Sequence, residues 1–283
     1  MRRKILTGAA LLAAVTACGG SGMAGGPAPD GALAVRLPSA SNASYVRADT
    51  TVVGVDAGMM GTFDVNVNGN TTVDVGFAEG AGGVVVTATY SAVDGGITNP
   101  MGAPISVDES SVSGQLVFTV DGRGRSTVSE RLEVEPDAIQ LVSPSGLAYD
   151  LFPRLPDRTV AVGDSWTDTI SVNEEVEGVA SETTTVVTYT VAGDTLVSGH
   201  SLMKLNTVSD VEASVNGSMQ GMSMTQNMSG SSSGWVLWDA SESLVHSAFS
   251  VADMAGIMTV DAPGAPDMSL TISSKSYTTR AGS

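Results

Sequence analysis

Phe152-Pro153-Arg154-Leu155-Pro156-Asp157-Arg158-Thr159-Val160-Ala161-Val162-Gly163-Asp164-Ser165-Trp166 divides the chain into two runs of similar length and chemistry. Pro153 and Pro156 fix φ and remove backbone donors, so the stretch opens as an extended connector over 152–160. The alternation at Val160 and Val162 predicts entry into a strand, and Gly163-Asp164 a tight turn. Trp166 offers the largest apolar surface nearby, which predicts a buried side chain where the second run begins. Both flanking runs are rich in Val, Thr, Ser and Gly. The reading is two similar β halves, 44–151 and 152–283, joined at a seam made by Pro153, Pro156, Gly163, Asp164 and Trp166.

Working outward, a period of two dominates. Phe63, Val65 and Val67 alternate with polar residues, as do Val73, Val75 and Phe77, and Asn68-Gly69 between them predicts a hairpin. Residues 84–90 form a further strand, and the Gly-Gly, Asn-Pro and Gly-Ala-Pro signals of 91–104 predict a loop. Val112, Leu116, Phe118 and Val120 share a face before an Asp121-Gly122 turn into 128–134, and the less regular 135–149 has room for a short helix. Past Trp166, Ile170 and Val172 alternate, 186–191 leads to a Gly193-Asp194 turn, and 203–215 runs to Asn216-Gly217. The last strands fall at 235–239, 243–251 and 268–272. No amphipathic helix of three turns interrupts this pattern. The fold class is all-β and antiparallel, and glycine-assisted bending of long strands predicts a curved sheet or half-barrel.

The N-terminus sets the address. Met1-Arg2-Arg3-Lys4 precedes an apolar run from Ile5 to Val15, too short to span a bilayer, and small residues lead to Cys18. Residues 1–17 read as a signal peptide, and Val15-Thr16-Ala17-Cys18 resembles the lipobox of bacterial lipoproteins. That resemblance implies cleavage before Cys18, its acylation, and an anchor strong enough to hold the protein at a membrane. Gly19 in place of Asp favours, by the same resemblance, the outer membrane. Residues 18–43, rich in Gly, Ser, Ala and Pro, read as a flexible tether. Removing residues 1–17 takes away three basic residues and no acid, leaving 10 against 30, a net charge of −20. Such a chain is repelled by nucleic acid, which is excluded as a partner. Its one cysteine offers no disulfide framework, so the fold rests on its core.

Ser111-Val-Ser113-Gly114 followed by an apolar strand to Asp121 echoes Ser231-Ser-Ser233-Gly234 followed by a strand to Asp239, the pattern expected of a duplication. The segment Pro156, Val160, Val162, Gly163, Asp164, Ser165, Trp166 between two β halves resembles a family of uncharacterised bacterial lipoproteins, a likeness over roughly residues 50–280. It implies a fold and no established activity.

Chemistry is sparse. Gly163-Asp164-Ser165 resembles an esterase nucleophile block, but the residues after Ser165 alternate as a strand, and Ser243 stands three before His246 where such enzymes carry Asp. Gly230-Ser-Ser232-Ser-Gly234 fits G-x-S-x-G but leads into a strand rather than the helix of a nucleophile elbow. With His200 and His246 the only histidines, a Ser-His-acid site has few ways to form. Met219, Met222, Met224 and Met228 are soft ligands that suit Cu(I), but Met222, Met224 and Met228 share strand parity, as residues facing a core or a ligand do. Trp235 and Trp238 have opposite parity, so one of them faces outward. No cofactor is expected. The leading expectation is an envelope lipoprotein, outer-membrane anchored and non-enzymatic, binding an apolar ligand such as a lipid or another envelope component. The runner-up is a structural or interaction protein, and copper on the methionines stands behind both. An unfilled apolar concavity of several hundred Å3 separates the first from the second.

Overall fold

The computed structural model describes residues 33–58, 61–100, 102–176, 178–219, 222–262 and 266–282, with Met219 through its backbone alone. The strands are β1 (Asn42–Asp56), β2 (Thr62–Gly80), β3 (Gly83–Thr98), β4 (Ile105–Asp108), β5 (Val112–Ser113), β6 (Leu116–Val120), β7 (Ser126–Glu130) and β8 (Glu133–Val134). After a short helix α1 (Leu147–Asp150) come β9 (Ser165–Val176), β10 (Val179–Val197), β11 (His200–Met219), β12 (Met222–Asp239), β13 (Leu244–Val260) and β14 (Met268–Arg280). One antiparallel sheet runs β7-β6-β3-β2-β1-β14-β13-β12-β11-β10-β9, with β4 added on β3, while β5 and β8 form a separate pair. Pairing of β1 with β14 joins the two halves into this continuous sheet. The longest strand has 20 residues, a reach of roughly 65 Å at the usual rise per residue.

Alternation explains the long strands. In β2 every odd residue from Val65 to Phe77 is buried, so one face of the sheet is apolar and curls inward to cover it. The sheet forms a half-barrel, and its two edge strands, β7 and β9, approach each other. Arg125, just before β7, reaches Asp168 of β9 at 3.1 Å, and Arg131, just after β7, donates to the Asn173 carbonyl of β9 at 3.2 Å. The chain between these edges fills the concavity. Leu132, Ala138, Val142, Leu147, Leu151, Phe152 and Leu155 are all buried against the inner face. Glu174 of β9 holds this plug by accepting from the Ser143 hydroxyl and from the backbone and hydroxyl of Ser145. β7 has only five residues, and the contacts of Arg125, Arg131 and the plug with β9 blunt the other edge.

The decisive stretch delivers the plug to β9. The carbonyl of Pro153 passes so close over Gly124 that an added Cβ there would sit 2.1 Å from it. Leu155 donates to the Arg123 carbonyl, and buried Arg154 donates to the Gly124 carbonyl at 2.9 Å. The connector is thus packed between the halves. No strand begins at Val160 or Val162, and Val162 is 71% exposed. Gly163, with φ of +90°, turns the chain, and β9 begins at Ser165. Trp166 is half-buried rather than buried. It stacks on Tyr189 at 5.5 Å between ring centroids and donates from Nε1 to the Arg154 carbonyl at 2.8 Å.

Several expected turns are strand. Asn68-Gly69 lies inside β2, where Leu141 of the plug presses on Gly69 and Gly95, positions at which a Cβ would fall 2.4 and 2.8 Å from its side chain. The loop expected at 91–104 begins after Thr98, and Gly193-Asp194 is a register shift inside β10. Gly217 lies within β11. The irregular 135–149 does hold the start of α1. The echo between 111–121 and 231–239 has no structural counterpart: Gly114 sits at a bend with φ of +77°, whereas Gly234 is mid-strand in β12. The tether expected over 18–43 is too long at its C-terminal end. Val35 is buried and donates to the Gly122 carbonyl, and Arg36 donates to the Ser243 hydroxyl. The signal peptide, Cys18 and the rest of residues 1–32 lie outside the described residues.

Candidate functional site

Register sets inward residues of neighbouring strands side by side, so the interior is layered along the strands. At the plug end, Phe152 meets Phe118 and Trp238 edge-on, at 6.5 and 6.4 Å between ring centroids, with Tyr45 and Leu205 in the same cluster. At the other end Val53, Val65, Leu270 and Ile272 pack with Met224, Met228, Met254 and Met258. Between these apolar layers the inward positions turn polar, with Ser209 on β11, Ser232 on β12, Ser250 on β13 and Ser274 and Ser276 on β14. They help to wall a cavity of about 170 Å3.

Arg47 of β1 and Asp150 of α1 face this cavity. The Arg47 guanidinium bonds Asp49 through Nε at 2.7 Å and Asp150 through Nη1 at 2.8 Å. Protein surrounds Asp150, yet its side chain keeps 29% of its surface accessible because it borders the cavity rather than packed side chains. Burial pushes the Asp150 carboxyl up to about 6, against the opposing pull of Arg47. Burial pulls Arg47 down, but Asp49 and Asp150 more than offset it and hold the guanidinium above its ordinary value. Burial pushes the Tyr90 hydroxyl up to about 12, with Arg47 opposing. With two carboxylates on one cation, this site ties the plug to the wall and does not favour an anion.

The sequence-expected residues are distributed differently. Met224 and Met228 are buried in the apolar layer, and Met222 is half-buried. Met228 sulfur accepts from Gln226 Nε2 at 2.9 Å, so it serves packing and a hydrogen bond. Met254 and Met258, missed from sequence, complete the layer; the side chain of Met219 lies outside the described residues. Asp164 closes its turn by accepting from the Ala161 backbone at 3.0 Å and pairing with Arg158 at 2.9 Å. Those two hydrogen bonds, backbone first, hold its carboxyl below the ordinary value. Ser165 shares a hydrogen bond with Thr190 across β9 and β10, as a strand residue does. Trp238 is fully buried, and Trp235 faces outward beside Phe249 and Tyr277, with Lys204 6.0 Å from its ring. The charged site was also missed. Arg47 and Asp49 interrupt the inward positions of β1, the one signal the sequence carries, and Asp150 is 103 residues away from its partner.

No family model and no curated protein matches the chain. Among solved structures, it is similar to Pseudomonas aeruginosa OccK2 (OpdF), at 8% identity and TM-score 0.31 over 87% of this chain and 99% of that one. It is also similar to OccK10 (OpdN) of the same organism, at 11% identity and TM-score 0.22 over 86% and 100%. Likeness at this level carries no argument. Along β12 the outward residues Ser223, Thr225, Asn227, Ser229, Ser231 and Ser233 are all exposed, whereas the lipid-facing positions of a membrane-spanning strand are apolar; the nearby strands β11, β13 and β14 expose Val208, Ile257 and Tyr277.

Proposed function

We propose that the chain is a lipid-anchored, non-enzymatic interaction module of the bacterial cell envelope, held through Cys18 at the outer membrane. The observation that carries the interaction reading over the carrier reading is the filled interior. Two apolar layers and the plug occupy the concavity, and the cavity between them, about 170 Å3, is below the several hundred Å3 expected of a site for a larger ligand. The polar outward face of β12 supports attachment through the N-terminus rather than through the sheet. The lack of catalysis is supported by Ser165, whose hydroxyl is engaged with Thr190, and by the strand setting of Gly230–Gly234.

The anchor is tested by detergent partition. Acylation needs the thiol, so wild-type protein is expected in the Triton X-114 phase and Cys18→Ser in the aqueous phase. Equal partition of the two proteins would refute the anchor.

A further inference from the structure

The end of the half-barrel where β10 turns into β11 and β14 ends holds a second pocket, of about 380 Å3, separate from the cavity around Arg47. Both histidines of the chain, His200 and His246, line it together with Arg280. In a chain of 30 acidic and 13 basic residues, this convergence of nitrogen groups runs against the general charge.

His246 is only 9% exposed. Its Nδ1 lies 3.3 Å from the Ser247 hydroxyl, while Nε2 is buried with no hydrogen-bond partner among the described residues. When Nδ1 accepts from Ser247, Nε2 carries the proton and is a donor. An unpaired buried polar atom costs about 1–3 kcal/mol, so this one, in the wall of a pocket that Arg280 also lines, calls for a ligand that satisfies it. Asp239 sets the background charge. Its Oδ1 is taken by the Ser241 backbone and hydroxyl and by the Glu242 backbone, and its Oδ2 is 4.0 Å from Arg280 Nη2, an ion pair beyond hydrogen-bond distance.

We propose that this pocket binds a small oxyanion, a carboxylate or a phosphate, with Arg280 supplying the charge and His246 Nε2 and His200 the further donors. A planar guanidinium suits two oxygens of such a group. Burial first, then Arg280 and His200, hold the His246 imidazole below its ordinary value against the opposing pull of Asp239. The imidazole therefore meets the ligand neutral at pH 7, and a bound anion raises its pKa.

Two histidines make the test direct, because imidazole NMR resolves each ring in the full-length protein. Titration with inorganic phosphate, and separately with acetate, is expected to shift His246 saturably and to raise its pKa. A response to either probe supports the site, and the stronger probe identifies the oxyanion class. Arg280→Gln and, as the exposed and structurally milder change, His200→Gln are each expected to weaken binding by about tenfold, the size of one charge-assisted hydrogen bond. Arg158→Gln, at the Asp164 turn, is expected to bind as wild type. No saturable shift of His246 with either anion, or a shift unchanged in both Arg280→Gln and His200→Gln, would overturn the proposal.

Discussion

Trp166 and Trp238 show how burial divides two chemically identical side chains. Trp238 is fully enclosed against Phe152, and its replacement by Ala is expected to cost roughly 3–5 kcal/mol. Trp166 is only half-buried, with one face on Tyr189, so Trp166→Ala belongs at or below the lower end of that range, about 3 kcal/mol. Urea unfolding of both variants checks the order, and a Trp166→Ala protein more damaged than Trp238→Ala would contradict the packing described. Asp164→Asn is expected to remain close to wild type, because Asn still accepts from Ala161 and loses only an exposed ion pair with Arg158. Asp150 titrates in the opposite sense to a paired surface acid. Its folded value of about 6 lies above its ordinary 3.8, so the folded state binds the proton more tightly and the cost of the buried charge appears as pH rises through that window. Asp150→Asn removes the titration. Its stability relative to wild type is expected to be higher at about pH 7 than at about pH 4.5, read as the difference in melting temperature at the two pH values. A difference of the opposite sign would mean that the Arg47 pair, not burial, sets the carboxyl.

The plug is held at both edges, by the Ser126 hydroxyl of β7, which donates to the Ala148 carbonyl, and by Glu174 of β9, which accepts from Ser143 and Ser145. Phe152→Ala should therefore destabilise by roughly 3–5 kcal/mol. Amide exchange is expected to rise first in β7 and β9, with the central β1–β14 pair protected longest; uniform acceleration across the sheet would show that the plug does not close the edges. The same segment explains where sequence reading of turns failed. Asn68-Gly69 looks like a hairpin, but a two-residue turn there would set Val67 opposite Asn70 and Val65 opposite Thr72, putting polar residues on the apolar face. The parity of Phe63 to Phe77 is unbroken instead, as a single strand requires, and that was readable. Why a glycine stands at 69 was not, since Leu141, seventy-two positions away, is what presses on it.

The all-β class, the antiparallel pairing and the curvature were legible because they follow from period-two alternation and glycine content. The plug was not, because Leu132 to Leu155 has no regular period and its burial depends on the concave face of distant strands. The polar layer around Arg47 and the convergence of His200, His246 and Arg280 were hidden for the same reason, being products of register between strands far apart in sequence. What distinguishes an interaction module from a lipid carrier here is a full interior. Native mass spectrometry of full-length protein extracted from membranes in mild detergent tests this most directly, with Cys18→Ser measured alongside to separate covalent acyl groups from bound lipid. The expected spectrum is the acylated polypeptide alone for wild type and the bare polypeptide for the variant. A stoichiometric lipid adduct on both proteins would contradict the filled half-barrel and restore the carrier.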